Sequence, residues 1–459
     1  MPTTNLRLDQ LSLHNFRCFT KCTVDLHPQL TVLVAENGRG KTAILNGIGI
    51  ALGLFVDTVS DTRKNADFTS MDVRLVQEEF FGKMTPELPT EFKANGFIVG
   101  REICWGRSLK GISPSNRPTT SEAEELRKMA QQIRERVEDY ITEQKGEPPL
   151  LPIVAYYGTD RHWSSISRKD TKRVFDDRQI GRMAGYTDCL SASSSVTEIV
   201  SWYEQTAKEL RDPHYKSVSQ MNLALLTAVR EATKVVLEPT GWAELDWDFE
   251  QNFLVVEHQD KRRLPLSALS DGIRNMVALV ADIARRCAAL NPHLGENAAR
   301  QTPGVLLIDE VDLHLHPRWQ QKIIELLQKA FPAVQMVIST HSPHVLSTVD
   351  KESIRIIRFS NGDVMLETPQ YQTRGVESAD VLARIMDVDP VPQVAEARLL
   401  SDYRVLVQTE RFDTENGQNM WAQLIQHFGK DHPVIHEVET LRRLQEFKRA
   451  HNLPKSEND

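Results

Sequence analysis

The chain has 459 residues, 40% of them hydrophobic and 26% charged, with a formal net charge of −8. This composition fits two or three globular domains, or one large domain with insertions, and excludes collagen-like and wholly disordered chains. The acidic balance requires any nucleic-acid contact to come from a local basic surface. Five scattered cysteines (Cys18, Cys22, Cys104, Cys189, Cys287) without a CxxC pair point to reduced thiols in a cytoplasm, not to a disulfide framework or a zinc site. Met1-Pro2-Thr3-Thr4 carries no secretory pattern, and the run Ala43 to Val56 is broken by Asn46 and three glycines. The expectation is a cytoplasmic protein with no membrane segment.

Along the chain, Leu6 to Leu13 alternates like a strand with one buried face, and Leu30 to Val34 reads as a second strand. That strand ends in the turn Glu36-Asn37-Gly38-Arg39-Gly40, followed by an apolar helix from about Lys41. Residues 57–118 read as irregular, with a weak strand signal at Gly96 to Val99. A helix begins at the capping box Ser121…Glu124 and carries Leu126, Met129, Ile133, Val137, Tyr140 and Ile141 on one face. Leu151 to Tyr157 reads as a buried strand. The loop after it holds Arg161, Arg168, Lys169, Lys172, Arg173, Arg178 and Arg182. That cluster fits a phosphate contact as well as it fits an exposed loop balanced by Asp170, Asp176 and Asp177. Helices are expected near 196–210, 217–236 and 271–290, with extended chain at 244–258. Val305 to Ile308 and Val334 to Ile338 lack polar alternation except at Gln335, as strands covered on both faces do. Asp387-Val388-Asp389-Pro390-Val391-Pro392 reads as a linker before a helical tail.

Four elements carry chemistry. Ala35-Glu36-Asn37-Gly38-Arg39-Gly40-Lys41-Thr42 matches a phosphate-binding loop except that alanine stands at its first position. Such a loop turns backbone N–H groups toward phosphate oxygens, with Lys41 adding charge and Thr42 a magnesium ligand. Val305 to Glu310 reads as a buried strand ending in two acids, which can place Asp309 near magnesium and aim Glu310 at an attacking water; a core strand whose terminal acids are merely solvated would look the same. Ser270-Asp271-Gly272 opens a helix whose positive end suits a phosphate; the same residues would also serve as an ordinary amino-terminal cap. His341 follows the strand Val334 to Ile338.

In this order the four elements resemble the ABC-type ATPases, specifically the branch of RecF and SMC heads. Asn15-Phe16-Arg17-Cys18-Phe19 is similar to the opening of that branch, Leu269 to Ile273 to its signature, and His341 to its switch histidine. Glu310 to Pro317 resembles the extended form found in OLD-like ATPases. Leu151 to Arg161, Leu264 to Asn275 and Val394 to Leu400 resemble the ATPases of Septu antiphage systems, the PtuA family, and their relatives in some retrons. The resemblance implies an α/β, ABC-type (RecF/SMC-like) head with a mixed sheet, a helical insertion and a helical carboxyl-terminal tail. The expected divisions are 1–60, 61–243, 244–389 and 390–459.

The resemblance further implies ATP and Mg2+ as cofactors, with Asn37, Gly38, Arg39, Gly40, Lys41, Thr42, Ser270 and Gly272 on the nucleotide. Thr42 and Asp309 would hold the metal, and Glu310 and His341 would carry the chemistry. The implied partners are a second copy in a homodimer or higher oligomer and an HNH-type nuclease subunit (PtuB-like), with DNA reached through the complex. Gln77 is one candidate for the Q-loop, and the Asp72-Val73-Arg74 turn another. A RecF-like repair ATPase on duplex DNA is the alternative function. A nuclease in the same chain is disfavoured, because Asp387-Val388-Asp389 runs straight into Pro390.

Overall fold

A computed structural model describes residues 6–61, 68–78, 83–113, 118–119, 121–143, 146–159, 181–191, 196–211, 219–360 and 363–451. The chain divides into two compact units, Met1–Val381 and Leu382–Asp459, so the second begins a little before the expected boundary at 389/390.

The first unit is α/β. Its six-stranded sheet uses β3 (Leu30–Val34), β8 (Ile153–Tyr157), β12 (Gly304–Ile308), β13 (Val334–Ser339), β14 (Ile354–Ser360) and β15 (Asp363–Glu367). Their order is β15-β14-β3-β13-β12-β8. All pairings are parallel except β15 on β14, which makes the sheet mixed. Every residue of β3, β8, β12 and β13 is buried. Both faces are covered, which explains the uninterrupted apolar runs. Gln335, the exception, spends its amide on the Leu8 backbone, accepting from its N–H at 2.9 Å and donating to its carbonyl at 2.7 Å.

A second, antiparallel sheet has the order β2-β1-β6-β7. It is made of β1 (Leu6–Phe16), β2 (Phe19–Asp25), β6 (Thr90–Ile98) and β7 (Arg101–Leu109), while β4 (Leu75–Gln77) and β5 (Met84–Pro86) form a separate hairpin. The expectation of irregular chain over 57–118 is corrected here, and the insertion over 61–243 carries β4, β5, β6 and β7 beside its helices and β8. β6 does alternate, but several inward positions are Thr90, Ala94 and Gly96, too small or polar to give an apolar signal. Gly96 is required by close approach, since a Cβ there would lie 2.2 Å from the Arg7 carbonyl oxygen of β1.

Helix α1 (Lys41–Ser60) runs between the two sheets. Gly47 meets Leu11 and Leu13 of β1, Gly49 faces Leu307 of β12, and the Trp105 indole of β7 donates to the Ala51 carbonyl at 2.9 Å. A helix covered on both sides is apolar all round. By length and composition α1 could cross a bilayer, yet 78% of its apolar window is buried within the fold.

Helices α2 (Glu124–Glu143), α3 (Val196–Arg211), α4 (Ser219–Leu237) and α5 (Asp271–Leu290), with a meander of β9 (Trp242–Asp248), β10 (Phe253–His258) and β11 (Arg263–Pro265), complete most of this unit. The α2 face is buried at Leu126, Met129, Ile133 and Val137, whereas Ile141 is exposed.

The second unit has its own core. Tyr403, Val407, Phe412, Leu424, Ile435 and Val438 are buried among α6 (Ala395–Gln408), α7 (Glu415–Phe428) and α8 (Pro433–Ala450). Tyr403 stacks on Trp421 with ring centroids 5.2 Å apart. Leu399, Leu400, Leu406, Trp421, Ile425 and Phe428 pack against this core, whereas Val405 on α6 is exposed.

Candidate active site

β3, β13 and β12 are parallel neighbours, so their carboxyl ends open on one edge of the sheet, where α/β folds bind ligands. The 35–42 loop follows β3, Asp309 and Glu310 follow β12, and His341 follows β13. The positive end of α1 points from the same edge.

The loop needs two of its glycines. Gly38 and Gly40 have φ of 75° and 90°, and a Cβ on Gly40 would strike the Phe19 ring at 2.3 Å. Ala35 is not among the positive-φ residues, so the missing first glycine costs the turn no strain. Glu36, Asn37, Gly38 and Arg39 are exposed; Arg39 pairs with Glu36 at 3.0 Å and lies over the Phe359 ring. Lys41 is buried, its Nζ donating to the carbonyls of Ala35 (2.8 Å) and Glu36 (3.1 Å). Burial lowers its pKa, while Asp309, Glu310 and Asp312 pull it back up.

Thr42 Oγ1 donates to Asp309 Oδ2 at 2.6 Å, closing the gap between two segments 267 residues apart in sequence. The other Asp309 oxygen accepts from the Ser339 hydroxyl. The Asp309 N–H donates to the Tyr157 carbonyl at 2.8 Å. Glu310 stands in the left-handed region with φ 47°, and its N–H donates to Ser339 Oγ at 2.8 Å. Thr340 donates to Asp312 at 2.5 Å. His341 is half-buried; burial and the Lys41 charge hold its pKa below the ordinary value, against the pull of Glu310, Asp312 and Asp309. Lys41, Thr42, Asp309, Glu310 and His341 therefore share one site.

Ser270 and Gly272 are placed differently. Ser270 occupies the cap position of α5 but its exposed side chain caps nothing. Asp271 instead pairs with Arg274 at 2.5 Å. Gly272 packs under the loop after Glu310: a Cβ there would lie 3.0 Å from the His314 carbonyl oxygen. Among the described residues, none of the hydrogen bonds of Ser270 or Gly272 reaches the 35–42 loop. Among those residues, too, no group of three His, Cys, Asp or Glu gathers to hold a metal by itself. Gln77 is exposed on β4, while the Asp72 turn is tied to Arg17 by an ion pair of 2.8 Å. Asp389 caps Val391 N–H at 2.9 Å.

Of the basic cluster, Arg161 to Arg178 lie outside the described residues. Arg182 turns inward, donating to the carbonyls of Leu290 (2.7 Å) and Pro149; burial lowers its pKa to about 10.

Sequence reasoning missed Ser339, although it stands two residues before His341 at a strand end. It also missed a buried group in the second half of α5. Asp282 accepts from Tyr157 (2.8 Å), Arg285 (2.8 Å) and Arg286 (2.9 Å). Arg286 also donates to the carbonyls of Gly185 and Thr187. Burial opposes the Asp282 charge, but the two guanidinium groups outweigh it and hold its carboxyl well below the usual range.

Two AAA-domain families match: one described as "AAA domain" over residues 10–226, and one described as "AAA domain, putative AbiEii toxin, Type IV TA system" over residues 191–347. The Retron Vc95 probable ATPase of Vibrio cholerae is 26% identical over 86% of this chain and 82% of its own. The Retron Ec83 probable ATPase of Escherichia coli is 26% identical over 94% and 86%. Septu protein PtuA of Bacillus thuringiensis is 26% identical over 38% of this chain and 43% of its own. A solved SMC head, bound to the C-winged helix domain of ScpA, overlays 79% of this chain and 97% of its own at 15% identity and a TM-score of 0.47. The chain is thus similar to AAA-domain ATPases, over most of its length to the probable ATPases of two retrons and over part of it to Septu PtuA.

Proposed function

We propose that this chain is the ATP-binding and ATP-hydrolysing regulatory subunit of an antiphage defence complex, controlling an associated HNH-type nuclease that degrades DNA. The observation that carries the ATPase reading is the Thr42–Asp309 hydrogen bond beside buried Lys41, which joins the phosphate loop to the acid strand. A hydroxyl and a carboxylate oxygen converging there are hard donors of the kind Mg2+ takes alongside phosphate oxygens and water. Magnesium held by Thr42 and Asp309 would supply charge neutralisation at the β- and γ-phosphates. Lys41, now spent on loop carbonyls, would turn to the phosphates. Glu310 would polarise the attacking water, and His341, held largely neutral, would hydrogen-bond near the γ-phosphate.

The exposed Ser270, capping nothing, supports a composite site in which one protomer's signature closes over its partner's nucleotide. A two-fold pair then encloses two ATP molecules. Ser270→Arg is expected to keep nucleotide binding and abolish turnover; normal turnover by a monomeric Ser270→Arg chain would refute the composite site. The retron and Septu kinship supports the defence role, and the nuclease partner is what the Septu resemblance implies. Purification from the native host tests it: a co-purifying nuclease supports the reading, whereas duplex DNA binding by the isolated chain would favour a RecF-like repair ATPase.

A further inference from the structure

We infer that Ser339 is a positioning residue that holds the two acids of the site in register, donating its one hydroxyl proton to Asp309 while accepting the backbone N–H of Glu310. The inference rests on the ATPase reading and extends it to a residue outside the nucleotide and metal contacts. A serine hydroxyl offers one donor and two lone pairs, and this one is fully buried, with partners on both sides.

The need for such a residue lies in the backbone. Glu310 has φ 47°, a conformation that costs a non-glycine residue energy and persists only where the surroundings fix it. Ser339 fixes it twice: its hydroxyl takes the Glu310 N–H, and its carbonyl accepts the Val311 N–H at 3.0 Å. The same hydroxyl orients the Asp309 carboxylate so that its other oxygen meets Thr42. One side chain on β13 thereby sets where both acids point. Because His341 follows two residues later, a shift of that strand end would move Glu310 as well.

The test compares Ser339→Thr with Ser339→Val, which have the same shape and differ in the hydroxyl, and adds Ser339→Ala. Steady-state turnover, nucleotide affinity with and without Mg2+, and thermal unfolding are measured on the full chain. Loss of such a supporting hydrogen bond at a metal site costs about 10–100-fold. The expected result is a kcat lower by about that factor in the Val and Ala variants, with KM for ATP nearly unchanged, a higher Mg2+ requirement, and unaltered affinity for Mg2+-free ATP. Ser339→Thr should recover most of the turnover. Equal turnover in the Thr and Val variants would overturn the inference, as would a loss in both kcat and Mg2+-free nucleotide binding that merely tracks thermal stability. If the wild-type chain neither binds nor cleaves Mg-ATP, the ATPase reading itself fails, and this inference with it.

Discussion

Two buried aspartates flank Tyr157 and meet opposite fates. Asp282 takes the Tyr157 hydroxyl and two guanidinium groups, whereas Asp309 gives its N–H to the Tyr157 carbonyl and takes hydrogen bonds from the Thr42 and Ser339 hydroxyls. Arginines neutralise a carboxylate in place and lock it; hydroxyls orient a carboxylate without neutralising it. The first arrangement ties α5 to the end of β8 and is structural. The second leaves an oriented acid at the edge where the 35–42 loop ends, which suits a cation. The charge that helps at one site would be wasted at the other.

The largest expected break in this comparison is Asp282→Asn. It leaves Arg285 and Arg286 buried without their full counter-charge, and loss of one partner from a buried pair typically costs about 3–5 kcal/mol. Denaturant unfolding measures it. Asp309→Asn should cost clearly less in the same assay while abolishing the Mg2+-dependent part of nucleotide binding. Stability losses of equal size for the two variants would erase the distinction.

Acid should act through the same contrast. The folded pKa of Asp282 is depressed, so its contribution is present above the unfolded value of about 3.9 and is lost as pH falls below it. Unfolding followed from pH 7 to pH 3 should steepen below about pH 4, and Asp282→Asn should flatten that dependence. A smaller effect is expected from Lys41→Ala: the fold should change little in stability, while nucleotide affinity, read by equilibrium binding, drops sharply because the phosphates lose their buried cation. Undiminished affinity would remove Lys41 from the site.

Much of the site is legible in the sequence because it is local. A glycine-bearing turn ending in Lys-Thr, a strand ending in two acids and a strand ending near a histidine are each contiguous, and full burial of β3, β12 and β13 strips their sequences to apolar runs. What escapes is distributed. Asp282, Arg285 and Arg286 read as an ordinary charged helix face, since their partner Tyr157 is 125 residues away. β6 escapes because Thr90, Ala94 and Gly96 fill inward positions where large apolar residues would have given it away. The tail is helical as its spacing suggests, but most of that apolar spacing serves a core of its own.

On the proposed reading, the edge formed by β3, β12 and β13 hydrolyses ATP with Glu310 acting on water. Single-turnover cleavage of Mg-ATP by wild type and Glu310→Gln tests it most directly. ATP should be bound by both proteins and cleaved readily by the wild type alone. The variant should be slowed by about a hundredfold or more, matching about 3 kcal/mol for one preorganised electrostatic group. Equal cleavage rates in the two proteins would contradict it.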